Sequence, residues 1–263
     1  GLAGETEWVA LREFVPAATA SLTLAADAPT GHAGSSVVVV SVLPGAVPAL
    51  RREDGEVLLA VQTTTSSGDP SRDLAAALLA ALEQEGGGAV SMPGLPGPGP
   101  RLQDLVDPEA PLTLDLHDGF DFWVGDTDDE SVSALIEQAN SSIIPTERLA
   151  SVPSAYAATM GERRYLRWVQ PFDEDPLLDA LARLRAAGQD TLGPGTTLLG
   201  AFRAHGLLIP VWELDATASL DDLEDPAVDM AQTLAAQVGD TSPLDADARR
   251  SRAALANRQI TLR

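Results

Sequence analysis

No helix and no central strand can run through residues 93–100. The segment Pro93-Gly94-Leu95-Pro96-Gly97-Pro98-Gly99-Pro100 removes a backbone donor at every Pro, and every Gly adds freedom that a regular element must give up. Gly86-Gly87-Gly88 stands just upstream. Regular structure therefore stops before this stretch and starts again after it. The division that follows is an N-terminal lobe over 1–88, a Pro/Gly-rich linker or surface loop over 89–104, and a C-terminal lobe over 105–263. At 263 residues the chain is long enough for one large domain or two small ones. A spacer role for the run is preferred to a recognition role.

The first lobe reads as strands followed by a helix. Ser21–Leu24 is a short strand. Ser36–Leu43 is a near-continuous Val run, the pattern of a strand covered on both faces. Val47–Arg52 and Glu56–Thr64 form a hairpin around Glu53-Asp54-Gly55, in which Gly supplies the left-handed residue and Arg52 comes opposite Glu56. Asp69 caps a helix with Pro70 in its first turn, Leu74, Leu78, Leu79 and Leu82 on one face, and the Gly triplet as its stop.

The second lobe repeats the theme. Leu112–Trp123 is read as a hairpin with His117-Asp118-Gly119 as its loop, because only that register faces Leu116 with Phe120 and Leu114 with Phe122. Asp115 and Asp121 then oppose each other on the other face. Acidic residues 126–130 lead into a helix over 130–141, with Val132, Leu135 and Ile136 turned inward. Residues 142–163 read as irregular or partly helical, and Tyr165–Gln170 as a strand. Further helices start at Asp175-Pro176, Asp225-Pro226 and Ser242-Pro243, so that Pro70, Pro176, Pro226 and Pro243 are each expected in a first turn. Thr196–Arg203 and Leu207–Leu214 form a hairpin around Ala204-His205-Gly206, its second strand placed at an edge by Pro210. Hairpins rather than strand–helix alternation give the fold class: α+β, with antiparallel, hairpin-rich sheets, packed helices and two lobes of similar make-up.

Composition narrows the function. Zero Cys rules out disulfides, thiolate nucleophiles and Cys-ligated metal centres. With 17 basic residues, all Arg, against 39 Asp and Glu, the net charge of −22 repels phosphate backbones, so direct nucleic-acid binding is not expected. The most apolar run, Val37–Leu50, is broken by Ser41, Pro44, Gly45 and Pro48 and is too short to span a membrane. No secretory signal is seen, which points to the cytoplasm. The chain begins with Gly, which reads as a processed or cut start.

Two clusters bear chemistry. Asp115, His117, Asp118 and Asp121 are candidate ligands for zinc, manganese or iron, since facing carboxylates need relief by a cation, an Arg or solvent. Solvent or Arg is the preferred account. His32 and His205 read as loop residues. Arg163, Arg164, Tyr165, Arg167 and Trp168 are the one basic–aromatic cluster and the candidate binding surface. On a strand, Arg163, Tyr165 and Arg167 share one face and Arg164, Leu166 and Trp168 the other. The competing account pairs the Arg side chains with Asp173, Glu174 or Asp175. The sequence holds no nucleophile elbow and no phosphate loop: Gly193-Pro194-Gly195-Thr196-Thr197 lacks the Lys and precedes a strand.

Three segments carry a resemblance: Trp8–Ala20, Met160–Val169 and Gly200–Trp212. Through them the chain resembles an actinobacterial family with a domain of unknown function, over nearly its whole length. The resemblance implies no activity, cofactor or catalytic residue. Relatives of this kind carry a basic N-terminal extension, which this sequence lacks. Residues 177–237, a Leu-rich helix, a hairpin with Leu208-Ile209-Pro210-Val211 and a further helix, are similar to small α+β secretion-chaperone modules, which implies binding to protein partners. The function expected is a non-enzymatic protein-binding or adaptor module, chaperone-like, without a cofactor. The alternatives are a metal-dependent enzyme using Asp115–Asp121 and an acidic decoy for a basic partner.

Overall fold

A computed structural model describes residues 2–26, 35–92, 94–124 and 130–257. His32 and most of the acidic segment before residue 130 lie outside the described residues. The fold is α+β, with two mostly antiparallel sheets and six helices among the described residues. The chain divides into two compact units, 1–143 and 144–263.

Unit 1 contains α1 (Glu5–Glu13), β1 (Ala18–Leu22), β2 (Val37–Val40), β3 (Ala49–Arg51), β4 (Val57–Ala60), α2 (Pro70–Glu83), β5 (Gly88–Ala89), β6 (Asp115–Leu116) and α3 (Glu130–Asn140). The sheet order is β5-β3-β4-β2-β1-β6. The Val run takes the interior of this sheet, antiparallel to β1 and parallel to β4. The β3–β4 hairpin forms as its sequence predicts. Gly55 adopts φ 94°, Arg52 N donates to Glu56 O at 2.8 Å, and their side chains meet at 3.3 Å. Helix α2 is capped by Asp69, whose Oδ1 accepts from Arg72 N at 3.1 Å, and it packs on β3 and β4. A second cluster unites Ala17, Val40, Leu43, Leu58 and Ala60 with Phe120, Trp123 and Ile136.

Several expectations for this unit are corrected. Residues 89–104 do not separate two lobes. Ala89 pairs with Leu50, and Val90 N donates to Ala49 O at 2.9 Å. Arg72 Nε then donates to Gly97 O at 2.8 Å, Arg101 pairs with Asp69 at 2.8 Å, and Leu102 N donates to Ser71 Oγ at 2.9 Å. The Pro/Gly run is a loop fastened along α2, and the division falls some forty residues later, between 143 and 144.

The 112–123 hairpin is also absent. Asp115 and Leu116 pair with Thr19 and Ala18 of β1, and Asp121–Trp123 is a 3-10 turn. That turn brings Phe120 and Trp123 together, stacked at 4.3 Å, with Trp123 Nε1 donating to Val42 O at 2.8 Å. Leu114 and Phe120 are buried, whereas Leu116 and Phe122 are half-buried. Gly119 is not left-handed, and Leu135 of α3 is 50% exposed rather than turned inward. Helix α1 has no counterpart in the sequence reading.

Unit 2 contains β7 (Thr146–Arg148), β8 (Ala155–Met160), β9 (Arg163–Trp168), α4 (Glu174–Ala186), β10 (Thr197–Ala204), β11 (Leu207–Leu214), α5 (Asp221–Val238) and α6 (Ala246–Asn257). Its sheet runs β10-β11-β9-β8-β7, antiparallel throughout. Leu166, Trp168 and Trp212 share a core with Leu177, Leu178 and Leu181 of α4 and Leu223 and Leu234 of α5. Arg252 of α6 reaches Asp175 and Asp179 of α4, each at 2.5 Å.

Here too the structure departs from the sequence reading. Residues 146–148 and 155–160 are strands. The β10–β11 loop has two residues, His205 at φ 50° and Gly206 at φ 83°, the mirror-image turn that suits strand twist. Strand β11 is interior. Its ladder with β9 covers Val211–Leu214, and Pro210 stands just outside it. Pro70 and Pro176 occupy first turns, but Pro226 lies inside α5 and Pro243 precedes α6. Helix α5 starts earlier because Asp221, Asp222 and Glu224 favour a helix N-terminus and Leu223 fills the core. Glu224 also accepts from the N–H groups of Ala150 and Ser151, both at 2.8 Å.

Candidate functional site

The Asp115–Asp121 group does not converge. Asp115 sits opposite Thr19 on β6, and His117 Nε2 lies 2.8 Å from Thr19 Oγ1, with its ring 5.1 Å from that of Phe122. Among the described residues, no three His, Cys, Asp or Glu are placed to hold a metal ion. The facing carboxylates that suggested a cation depended on a hairpin that does not form.

The Arg163–Trp168 cluster is strand β9, and its members do not form one accessible surface. Leu166 and Trp168 are core, with Trp168 Nε1 donating to Pro153 O at 3.0 Å. Tyr165 and Arg167, on the alternate face, are also buried. Burial lowers the Arg167 guanidinium to about 10. Arg164 donates to Ala218 O at 2.6 Å and to Glu147 at 2.7 Å. Arg163 alone is well exposed, near Glu213 at 3.8 Å. Of the carboxylates considered as partners for these Arg residues, Glu174 holds Arg203 and Asp175 holds Arg252.

A concave site with mixed chemistry lies in unit 1. A cavity of about 310 Å³ opens where β4 leaves the sheet and the chain crosses to α2. That volume lies at the lower end of the range for ligand pockets. Its apolar wall is built from Val47, Pro48, Leu74, Ala77 and Met92. Each comes from a different local cause. Pro48 follows the tight turn at Gly45 and Ala46, which have φ 65° and 53°. Leu74 and Ala77 are one face of the Asp69-capped helix. Met92 is positioned by the β5 pairing and belongs to the same Pro/Gly-rich loop that Arg72 fastens.

The polar side of the cavity is rich in donors. Arg12, from the last turn of α1, donates Nη1 to Val61 O at 2.7 Å, and among the described residues no carboxylate pairs with it. Thr63, Thr64 and Thr65 line the same cavity. Thr63 Oγ1 donates to Thr65 O at 3.0 Å, while the hydroxyls of Thr64 and Thr65 and the N–H groups of all three make no hydrogen bond to a described residue. Asp73 also lines the cavity, with Oδ2 already accepting from Ser67 N at 3.0 Å and Ser66 Oγ at 3.3 Å. What remains open beside the apolar wall is the rest of the Arg12 guanidinium, the hydroxyls and N–H groups of the largely exposed threonine run, and Asp73 Oδ1, a buried acceptor without a hydrogen-bond partner.

Sequence reading missed this site. It took Thr63 and Thr64 as the end of a strand and did not single out Arg12. The signal present was the run Thr63-Thr64-Thr65-Ser66-Ser67 between a buried strand and a capped helix, a place where polar backbone is exposed by necessity.

A family model described as "Family of unknown function (DUF5926)" matches residues 1–263, and the chain belongs to that family. The comparisons with curated proteins and with solved structures give no match. Among the described residues no helix is long and apolar enough to cross a membrane.

Proposed function

We propose that this DUF5926 member is a non-enzymatic protein-binding module of adaptor or chaperone-like type, and that the unit 1 cavity receives a short segment of its partner. The observation that carries this reading is the pairing, in one cavity, of an apolar wall with open donors and an unpartnered acceptor, Asp73 Oδ1. A peptide offers the complements of all three, apolar side chains and a backbone that both donates and accepts. The five β9 residues first considered as a binding surface give way to this cavity, because three of them are buried.

The test uses the full chain. Peptides enriched from a random displayed library are measured by fluorescence anisotropy against the parent chain and against Thr64→Trp and Ser91→Trp, two exposed lining positions where a large ring would fill the cavity mouth. Binding should weaken at least tenfold in both variants while the melting temperature stays unchanged. Enriched peptides that bind both variants as tightly as the parent would overturn the assignment of the cavity.

A further inference from the structure

We propose that the cavity takes a partner segment with one large apolar side chain flanked by Lys or Arg. The apolar group enters the cavity and the cations meet the surplus of carboxylates on unit 1; this rests on the protein-binding reading above. The apolar half of the inference comes from Leu95. It is 63% exposed, and it is one of two large hydrophobics left so open among the described residues. A single exposed Leu is ordinary by itself. Leu95, however, lines the same cavity as Val47, Pro48, Leu74, Ala77 and Met92, so the apolar wall continues into an exposed apolar side chain. Just beyond it Arg72 fastens the loop along α2, donating from Nε to Gly97 O at 2.8 Å and from Nη1 to Pro100 O at 3.2 Å. An incoming apolar side chain takes the wall and Leu95 out of water together.

The polar lining sets no demand for a charged group inside the cavity. Arg12 and Asp73 bring opposite charges to it, and Thr64 and Thr65 are exposed to water. Charge acts around the cavity instead, and it is unevenly shared along the chain. Residues 1–143 hold 22 of the 39 Asp and Glu but 5 of the 17 Arg, a net −17, whereas residues 144–263 carry −5. No described Asp or Glu is a buried residue, so this charge faces the surface. Of the five Arg in unit 1, Arg52 and Arg101 meet the carboxylates of Glu56 and Asp69, while Arg12, Arg51 and Arg72 are turned to backbone carbonyls. Most acidic side chains of the unit therefore have no Arg of that unit beside them. A surface of this kind draws in a basic segment and repels an acidic one, more strongly at low salt.

The probes are two matched synthetic libraries of acetylated, amidated nonapeptides, screened on the full chain. Both vary the central residues; one carries Lys on either side and the other Glu. Hits are measured by calorimetry at low and at high salt. Binders should come from the Lys-flanked library with a large apolar residue at the centre. Replacing that residue by Ala should weaken binding at least tenfold, and exchanging the flanking Lys for Glu should do the same at low salt and less at high salt. Leu95→Ser should weaken the hits severalfold with the melting temperature unchanged, since the side chain is exposed. Hits blocked by Thr64→Trp that bind within twofold after either peptide exchange, or that lose nothing in Leu95→Ser, would overturn this assignment and leave the binding reading intact. If neither library gives a binder that Thr64→Trp blocks, the binding reading itself falls, and this proposal with it.

Discussion

Arg51→Met should destabilise unit 1 by about 2 kcal/mol. Arg51 lies on β3, and its Nη1 donates to Ala81 O at 3.0 Å and Leu82 O at 2.8 Å, two carbonyls in the last turn of α2. These carbonyls have no partner inside the helix, and no other basic residue occupies the last turn. Each bond from a charged, half-buried donor contributes about 1 kcal/mol after competition from water, and a cation at a helix C-terminus adds about 0.5 kcal/mol. Met preserves most of the stem packing, so the loss isolates the guanidinium. For a chain of this size about 2 kcal/mol corresponds to a fall of roughly 4–8 °C in melting temperature. The assay is urea unfolding at 25 °C together with hydrogen exchange of the α2 amides, which separates this unit from the other. Arg51→Lys, which keeps the charge but not the fork, should lose about half as much. A change below about 0.5 kcal/mol in Arg51→Met, with unaltered exchange in α2, would show that water replaces the guanidinium at no cost and would refute the reasoning.

Trp212→Phe should cost about 2–3 kcal/mol in denaturant unfolding, since it removes the 2.8 Å bond from Nε1 to Asp190 O and leaves a void in a fully buried site; a cost below about 1 kcal/mol would contradict the packing described. Asp69 is held below its ordinary value of 3.8 by the N–H of Arg72 and then by the Arg101 guanidinium. Its folded value is thus below the unfolded one, so its contribution is complete above about pH 4 and is lost as pH falls through the folded value. The stability difference between the parent chain and Asp69→Asn, measured in urea across pH, should therefore be flat above about pH 4 and shrink below it, and a gap that widens on acidification would reverse the argument.

Local signals were legible where a turn or cap sufficed to fix the geometry. Asp54-Gly55 needs a left-handed residue in a short loop, and Asp69-Pro70 supplies both an acceptor and a fixed φ. The 112–123 segment shows the opposite case. Its alternating apolar residues satisfy a hairpin on paper, but Leu116 pairs with Ala18, almost a hundred positions away, and no local pattern encodes that partner. Strand β8 was hidden because Ala-Tyr-Ala-Ala-Thr-Met has little β-branching; what makes it a strand is pairing on both sides, with β7 and β9. Pro226 misled because a Pro is acceptable in a first turn, whereas here three acidic residues and the core position of Leu223 extend the helix beyond it.

The candidate site was less legible for a reason that concerns the Arg residues as a set. Scarce cations amid abundant carboxylates suggested that any Arg cluster must be either ion-paired or used for binding. The structure spends many of them differently. Arg51, Arg52, Arg72, Arg164, Arg183 and Arg249 all donate to backbone carbonyls, at helix ends or in irregular segments where the chain's own donors run out. A guanidinium with five N–H groups can satisfy such carbonyls and still reach a carboxylate, as Arg164 does. On β9 it is Arg164 that fastens other segments in this way, while Tyr165, Arg167 and Trp168 are buried, so the cluster does not form one accessible surface. Arg12 begins the same way, with one bond to Val61 O, but it ends in a cavity whose lining also holds Asp73. That difference cannot be read from the sequence around Trp8–Phe14, because it depends on where β4 releases the chain toward α2.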